Sequence, residues 1–106
     1  MTLREVCDTL AVSRRAVQGY EKAGLVSATG RNERGYLLYD ANARERIEQI
    51  KLFQQLGFSI KEIKDIIDAP NNVLKSALEE QVETLKEDSE NIEMLIEKAY
   101  SLIETL

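Results

Sequence analysis

The sequence predicts a mainly helical fold: short amphipathic helices forming a small N-terminal domain, one β-hairpin set among them, and a single long helix after it. Three observations carry that prediction. Apolar residues recur at helical spacing in segments punctuated by capping residues and glycines. The helical period is lost between residues 25 and 40, where Gly30, Asn32 and Gly35 fall among short apolar and aromatic runs. From about residue 72 to residue 105 there is neither glycine nor proline, and apolar residues repeat in sevens.

The first helix opens on Thr2-Leu3-Arg4-Glu5, a capping box in which Thr2 caps the first turn and Glu5 reaches back. Leu3, Val6, Cys7 and Leu10 then form one apolar face. Cys7 falls on that face and is expected to be a small, inert core residue.

Residues 10–25 read as a tight turn, a short helix and a stop. Ser13 can accept a free backbone N–H of the first turn. Val17 and Tyr20 lie three apart and can turn inward together, which leaves Arg14, Arg15, Gln18 and Lys22 for the outer face. Gly24 is placed to end the helix in a left-handed conformation. An outer face of arginine, glutamine and lysine suits the recognition helix of a helix-turn-helix. Arginine matches guanine edges or phosphates, and glutamine can pair with adenine. Basic faces on short helices are also commonly no more than solvated, and this segment by itself leaves both readings open.

The next stretch predicts a small hairpin. Leu25-Val26 and residues 36–39 are its expected strands, and residues 29–34 its polar tip, with Arg31 and Arg34 able to reach phosphates. Asp40 is a plausible N-cap for a helix over residues 41–56, whose Ile47, Ile50, Phe53 and Leu56 form a core face ended by Gly57. Ser59-Ile60-Lys61-Glu62 is a second capping box, opening a short helix with Ile60, Ile63, Ile66 and Ile67 inward, and closing before Pro70. In the long helix, Leu78, Leu85, Ile92, Ala99 and Leu106 form one sevenfold series. Val82, Ser89, Ile96 and Ile103 form a second, offset by four, with Ser89 the polar interruption. A lone helix has no core to cover such a stripe, so the seam predicts packing on a partner helix, most simply that of a second copy.

Composition bounds the function. A chain of 106 residues allows one compact domain plus an extension, which sets the expected boundary at residues 1–69 and 70–106. The net charge of −5 is unevenly distributed. Residues 1–68 carry 11 Lys/Arg against 10 Asp/Glu, and residues 69–106 carry 3 against 9. Residues 11–46 alone carry 7 basic against 4 acidic side chains, so the base gathers around the proposed reading helix. One cysteine cannot form an internal disulfide, and no run approaches the ~20 apolar residues of a membrane span or an apolar leader. A cytoplasmic protein, away from membranes, is therefore expected. The chain has no histidine and no glycine-rich phosphate loop, and its carboxylates lie on helical surfaces. No catalytic residue, metal ligand or cofactor is expected, and an enzyme is disfavoured.

Three motifs together resemble the MerR family of bacterial transcription regulators. They are Val12-Ser13-Arg14-Arg15-Ala16-Val17-Gln18-Gly19-Tyr20-Glu21-Lys22-Ala23-Gly24-Leu25, then Gly35-Tyr36-Leu37-Leu38-Tyr39-Asp40, then Leu56-Gly57-Phe58-Ser59-Ile60-Lys61-Glu62-Ile63. They stand in the family's order and spacing, within the first two thirds of the chain.

The resemblance implies a winged helix-turn-helix DNA-binding domain followed by a long coiled-coil dimerisation helix, antiparallel in the homodimer. It also implies double-stranded promoter DNA as partner, with regulation by distortion of an overlong promoter spacer so that RNA polymerase engages both promoter elements. Carried over by position, Ser13, Arg14, Arg15, Gln18, Tyr20 and Lys22 belong to the DNA-facing helix, with Tyr20 near the phosphates. Arg31, Arg34, Tyr36 and Tyr39 belong to the wing. Leu78, Val82, Leu85, Ile92, Ile96, Ala99 and Ile103 belong to the dimer seam. The sequence departs from the family where Gln18 and Gly19 stand for an arginine and an aromatic, and where Leu37 stands for an arginine; each missing arginine removes a possible phosphate partner. The cysteines of the family's metal sensors and the further domain of its drug sensors are absent, so either a regulator without an effector domain or a piece of a longer one is expected. The competing reading is a MerR-like interaction module of the chaperone-modulator type, which binds protein and not DNA. The missing arginines and acidic tail favour it, and the basic pairs Arg14/Arg15 and Arg31/Arg34 oppose it.

Overall fold

The computed structural model describes all residues, Met1–Leu106, and divides into two compact units, Met1–Asp68 and Ala69–Leu106. The first unit contains helices α1 (Leu3–Leu10), α2 (Arg14–Lys22), α3 (Ala41–Gln55) and α4 (Ile60–Ile66), with strands β1 (Gly30–Arg31) and β2 (Leu37–Leu38) between α2 and α3. The second unit is one helix, α5 (Asn71–Glu104).

Capping chemistry sets most helix boundaries in the first unit. Both expected capping boxes form, Thr2 with Glu5 and Ser59 with Glu62. Ser13 Oγ accepts the Ala16 N–H at 2.9 Å, and Asp40 Oδ1 accepts that of Ala43 at 2.8 Å. Helices α2 and α3 end alike. The N–H groups of Gly24 and Leu25 turn back to the carbonyls of Glu21 and Tyr20, and those of Gly57 and Phe58 to Gln54 and Phe53. Gly24 at φ 77° and Gly57 at φ 104° occupy the left-handed position that this closure needs. The turn between α1 and α2 works differently: Ala11, a residue with a Cβ, takes φ 53° there.

Every residue of the buried apolar core lies in the first unit. Val6, Val17, Tyr39, Ile47, Ile50 and Ile63 are fully enclosed, with Val12, Tyr20, Leu25, Val26, Phe53, Phe58 and Ile67 around them. The Phe53 and Phe58 rings meet edge to face at 6.0 Å across the end of α3. Burial of each large side chain contributes about 1.5–3 kcal/mol before entropy is counted. Cys7 and Leu56, both expected in the core, lie half-buried at its margin.

The hairpin differs from expectation in its first strand. Leu25 and Val26 are buried core residues, and β1 consists of Gly30 and Arg31, paired antiparallel with Leu38 and Leu37. Polar groups fix this register. The Thr29 N–H and Oγ1 both donate to Leu38 O, at 2.8 Å and 3.2 Å, and Thr29 Oγ1 accepts the Asp40 N–H at 2.8 Å. On the other side of β2, Thr2 pairs with Leu38, and the Tyr39 N–H donates to Met1 O at 2.7 Å. A strand of Gly-Arg carries no apolar alternation for a sequence pattern to detect.

Candidate nucleic-acid interface

Helix α2 turns one side into the core and one side outward. Val17 and Tyr20 are buried, whereas Ser13, Arg14, Arg15, Gln18 and Lys22 are exposed. Residues 15, 18 and 22 fall three and four apart and so share one line along the outer face. Arg14 sits about 100° round the helix from Arg15. None of these basic side chains is engaged in an ion pair within the chain. Arginine is permanently charged and presents five donors in a fixed fork, so this line can donate to base edges or phosphates. Ser13 Oγ accepts the Ala16 N–H as the cap of α2, and its hydroxyl hydrogen remains for an outer partner.

Two aromatic residues assigned to the interface belong to the core. Tyr20 is buried, and its hydroxyl donates to Gln54 Oε1 on α3 at 2.6 Å. Burial pushes its phenol pKa up. Tyr39 is fully buried, and its hydroxyl donates to Glu21 Oε1 at the end of α2 at 2.5 Å. Burial first, then the hydrogen bond and negative charge of Glu21, hold the Tyr39 phenol neutral far into alkaline solution. Both hydroxyls are thus engaged within the chain. Both tyrosines position α2, Tyr20 against α3 and Tyr39 against the exit of the hairpin. The three-residue spacing of Val17 and Tyr20 signalled the inward turn of Tyr20; nothing local signals the burial of Tyr39.

The hairpin presents a polar tip beside this helix. Asn32 Oδ1 accepts the N–H groups of Arg34 and Tyr36, each at 3.0 Å, and the Gly35 N–H closes on Asn32 O at 2.9 Å. Asn32 thus builds the turn, as asparagine does by bonding backbone two residues on. It was legible as turn punctuation and not as the organiser of the tip. Arg31 lies in β1, and its Nη1 donates to Gly35 O at 2.8 Å, which ties the guanidinium across the hairpin. Arg34 and Tyr36 project freely, Tyr36 being 59% exposed.

A residue of this surface that the sequence did not single out is Arg4. It lines an open cleft of about 780 Å³ with Arg14 and Arg34, so that α1, α2 and the hairpin tip each supply one arginine. Thr2, Asn32 and Tyr36 are among its other walls, and no acidic side chain lines it. Arg4 had no signal in its own helix beyond lying off the apolar face, because only the tertiary fold brings positions 4, 14 and 34 together.

Two further features of the first unit brace this surface. Lys51 Nζ donates to Leu10 O at the end of α1 at 2.9 Å. Arg46 donates through Nε to Leu25 O at 2.9 Å and bidentately to Asp68, at 2.8 Å and 2.7 Å. The Arg46 guanidinium holds the Asp68 carboxyl below the usual carboxylate range.

In the second unit, α5 exposes most of its proposed seam. Val82, Leu85, Ile92, Ile96, Ala99 and Ile103 are exposed or nearly so, and Leu78 is half-buried. Leu95, Tyr100 and Leu102 are exposed too, so the apolar surface broadens over the last turns. No helix is long and apolar enough to cross a membrane, and no group of three His, Cys, Asp or Glu side chains is placed to hold a metal ion.

Comparison with known proteins agrees with this arrangement. The family profile described as MerR HTH family regulatory protein matches residues 1–70, and that described as MerR, DNA binding matches residues 44–106. The HTH-type transcriptional activator mta of Bacillus subtilis is 32% identical over 95 residues, covering 90% of this chain and 37% of that protein. The chain therefore spans well under half the length of that relative. Among solved structures, MtaN, the N-terminus of the Bacillus subtilis multidrug transporter activator, superposes with a TM-score of 0.77 at 29% identity, covering 97% of both chains. HiNmlR, a MerR family regulator lacking the sensor domain and solved bound to promoter DNA, shares the fold with a TM-score of 0.75 at 20% identity, covering 92% of this chain and 78% of its own. With one profile spanning the helix-turn-helix and hairpin and the other continuing through α5, the chain belongs to the MerR family of transcription regulators and carries that family's DNA-binding domain.

Proposed function

We propose that the protein binds double-stranded promoter DNA as a homodimer and regulates transcription there. The observation that carries this reading is the outer line of α2. Arg15, Gln18 and Lys22 are exposed and unpaired on a short helix whose opposite face is locked into the core. A recognition helix needs that combination, because donors aimed at base edges discriminate only when the helix behind them is rigid. Arg34 and Tyr36 at the hairpin tip extend the surface toward the adjacent backbone.

The seam on α5 supports a dimer. Val82, Leu85, Ile92, Ile96 and Ile103 lie exposed at heptad spacing, and a second copy of the same helix covers such a stripe most simply. Two reading heads carried by one coiled coil fit a pseudo-palindromic site. Family membership supports the finer steps of this reading: promoter distortion as indirect readout, engagement of RNA polymerase, and a location on the nucleoid. The test is binding to the DNA upstream of the protein's own gene across a salt series. Sequence-specific, salt-dependent binding is expected; a protein that binds no duplex and captures a protein partner instead is the interaction module.

A further inference from the structure

We propose that the cleft between α1, α2 and the hairpin tip is a dedicated seat for the DNA phosphodiester backbone, and that it divides the two arginines at the head of α2 into different tasks. The inference rests on the DNA-binding reading above and goes beyond it by assigning a ligand chemistry to one part of the surface.

Three arginines from three separate elements, Arg4, Arg14 and Arg34, line the cleft. Their guanidinium groups form no ion pair within the chain, although acidic residues are near in sequence. Glu5, next to Arg4, is committed elsewhere: its carboxylate accepts the Thr2 N–H and hydroxyl in the capping box, at 3.2 Å and 3.1 Å. Glu33, next to Arg34, does not line the cleft. Three unpaired like charges facing one concavity repel one another and are stabilised by an anion placed among them. Their donors suit a phosphate, which arginine can meet with two parallel hydrogen bonds.

The shape of the site selects backbone over base. Arg14 opens toward the cleft, with Arg4 and Arg34 beside it, whereas Arg15 lies on the outer line with Gln18 and Lys22. An arginine that shares a concave anion seat with two others neutralises charge and carries no base information, while one on the outer line of a reading helix faces the groove. The adjacent arginines therefore act on different parts of the duplex. Arg4 supplies part of the phosphate binding that the family's missing arginines, at Gln18 and Leu37, would have given.

The experiment measures anisotropy of labelled specific and scrambled duplexes at several salt concentrations, using the whole chain. The variants are Arg4→Ala, Arg14→Ala, Arg34→Ala and Arg15→Ala, with Lys64→Ala as a charge control on exposed α4 surface. Circular dichroism confirms that each is folded. Arg4→Ala, Arg14→Ala and Arg34→Ala are expected to weaken both duplexes by the same factor, about tenfold, and to flatten the salt slope by about one unit for each phosphate that a bound protomer no longer neutralises. Arg15→Ala is expected to weaken the specific duplex selectively, and Lys64→Ala to match the parent. The seat is overturned if Arg4→Ala keeps the parent's affinity and salt slope, or if Arg14→Ala relaxes sequence preference as Arg15→Ala does. A parent protein that binds no duplex at low salt overturns the DNA reading itself, and the seat with it.

Discussion

The Tyr39 hydroxyl, fully buried beneath the hairpin exit, donates to the Glu21 carboxylate on the last turn of α2 at 2.5 Å. This bond joins the strand that ends the hairpin to the helix that bears the basic line, so the two candidate DNA-binding elements share one internal fastening. Removing it should loosen their relative placement without touching an exposed residue. Tyr39→Phe keeps the packed ring and deletes the hydroxyl, leaving a half-buried carboxylate short of a donor. A decrease of about 1–2 kcal/mol in urea unfolding is expected. The same pair predicts an alkaline limit. The phenol pKa is raised in the folded protein, so its contribution is fully present below the unfolded value near 10 and is lost above it. Tyr39→Phe should remove that part of the alkaline decline.

Acid should act through three surface carboxylates. Glu5 and Glu62 are held below the ordinary carboxylate range by the backbone and hydroxyl donors of Thr2 and Ser59, and Asp68 by Arg46. A depressed folded pKa contributes stability above the unfolded value, near 4, and that contribution disappears as pH falls through the lower folded value. Thermal melts should therefore be nearly flat from neutral pH to about 5 and decline below about 4. Asp68→Asn should lower the neutral plateau and make the acid decline shallower.

The α1–α2 turn should favour glycine. Ala11 takes φ 53°, where a Cβ costs about 1–2 kcal/mol, and the greater freedom of glycine in the unfolded chain offsets part of the relief. Ala11→Gly is expected to raise stability by about 0.5–1 kcal/mol in chemical denaturation.

Dimerisation is tested at Leu85, 38% exposed in the isolated chain and the second member of the sevenfold series that starts at Leu78. Leu85→Glu places a charge in the proposed dry seam, and sedimentation of that variant should show monomer where the parent shows dimer. A dimer that persists unchanged would assign the seam to some other packing partner.

The helices were legible in the sequence because each had a local cause. Thr2, Ser13, Asp40 and Ser59 all cap as their chemistry predicts, and Gly24 and Gly57 close the helices they follow. The hairpin was legible as a hairpin but not in its register. Leu25 and Val26 looked like a strand because they are apolar, yet they are core, while the actual strand pairs through Thr29 and is shaped by Asn32. Family position placed Tyr20 and Tyr39 on the DNA side, and tertiary packing buried both. Arg4 was invisible for the complementary reason: its role depends on the company of residues distant in sequence.

A sequence-reading role for the outer line of α2 is tested most directly by fluorescence anisotropy. The parent protein and the Arg15→Ala/Gln18→Ala variant are compared on a duplex from upstream of the protein's own gene and on a scrambled duplex of equal length. The parent should prefer the upstream duplex. The variant should bind it about 1–3 kcal/mol more weakly for each base that is no longer read, while holding the scrambled duplex nearly as well as the parent. Equal binding of parent and variant to both duplexes would contradict a reading role for this line.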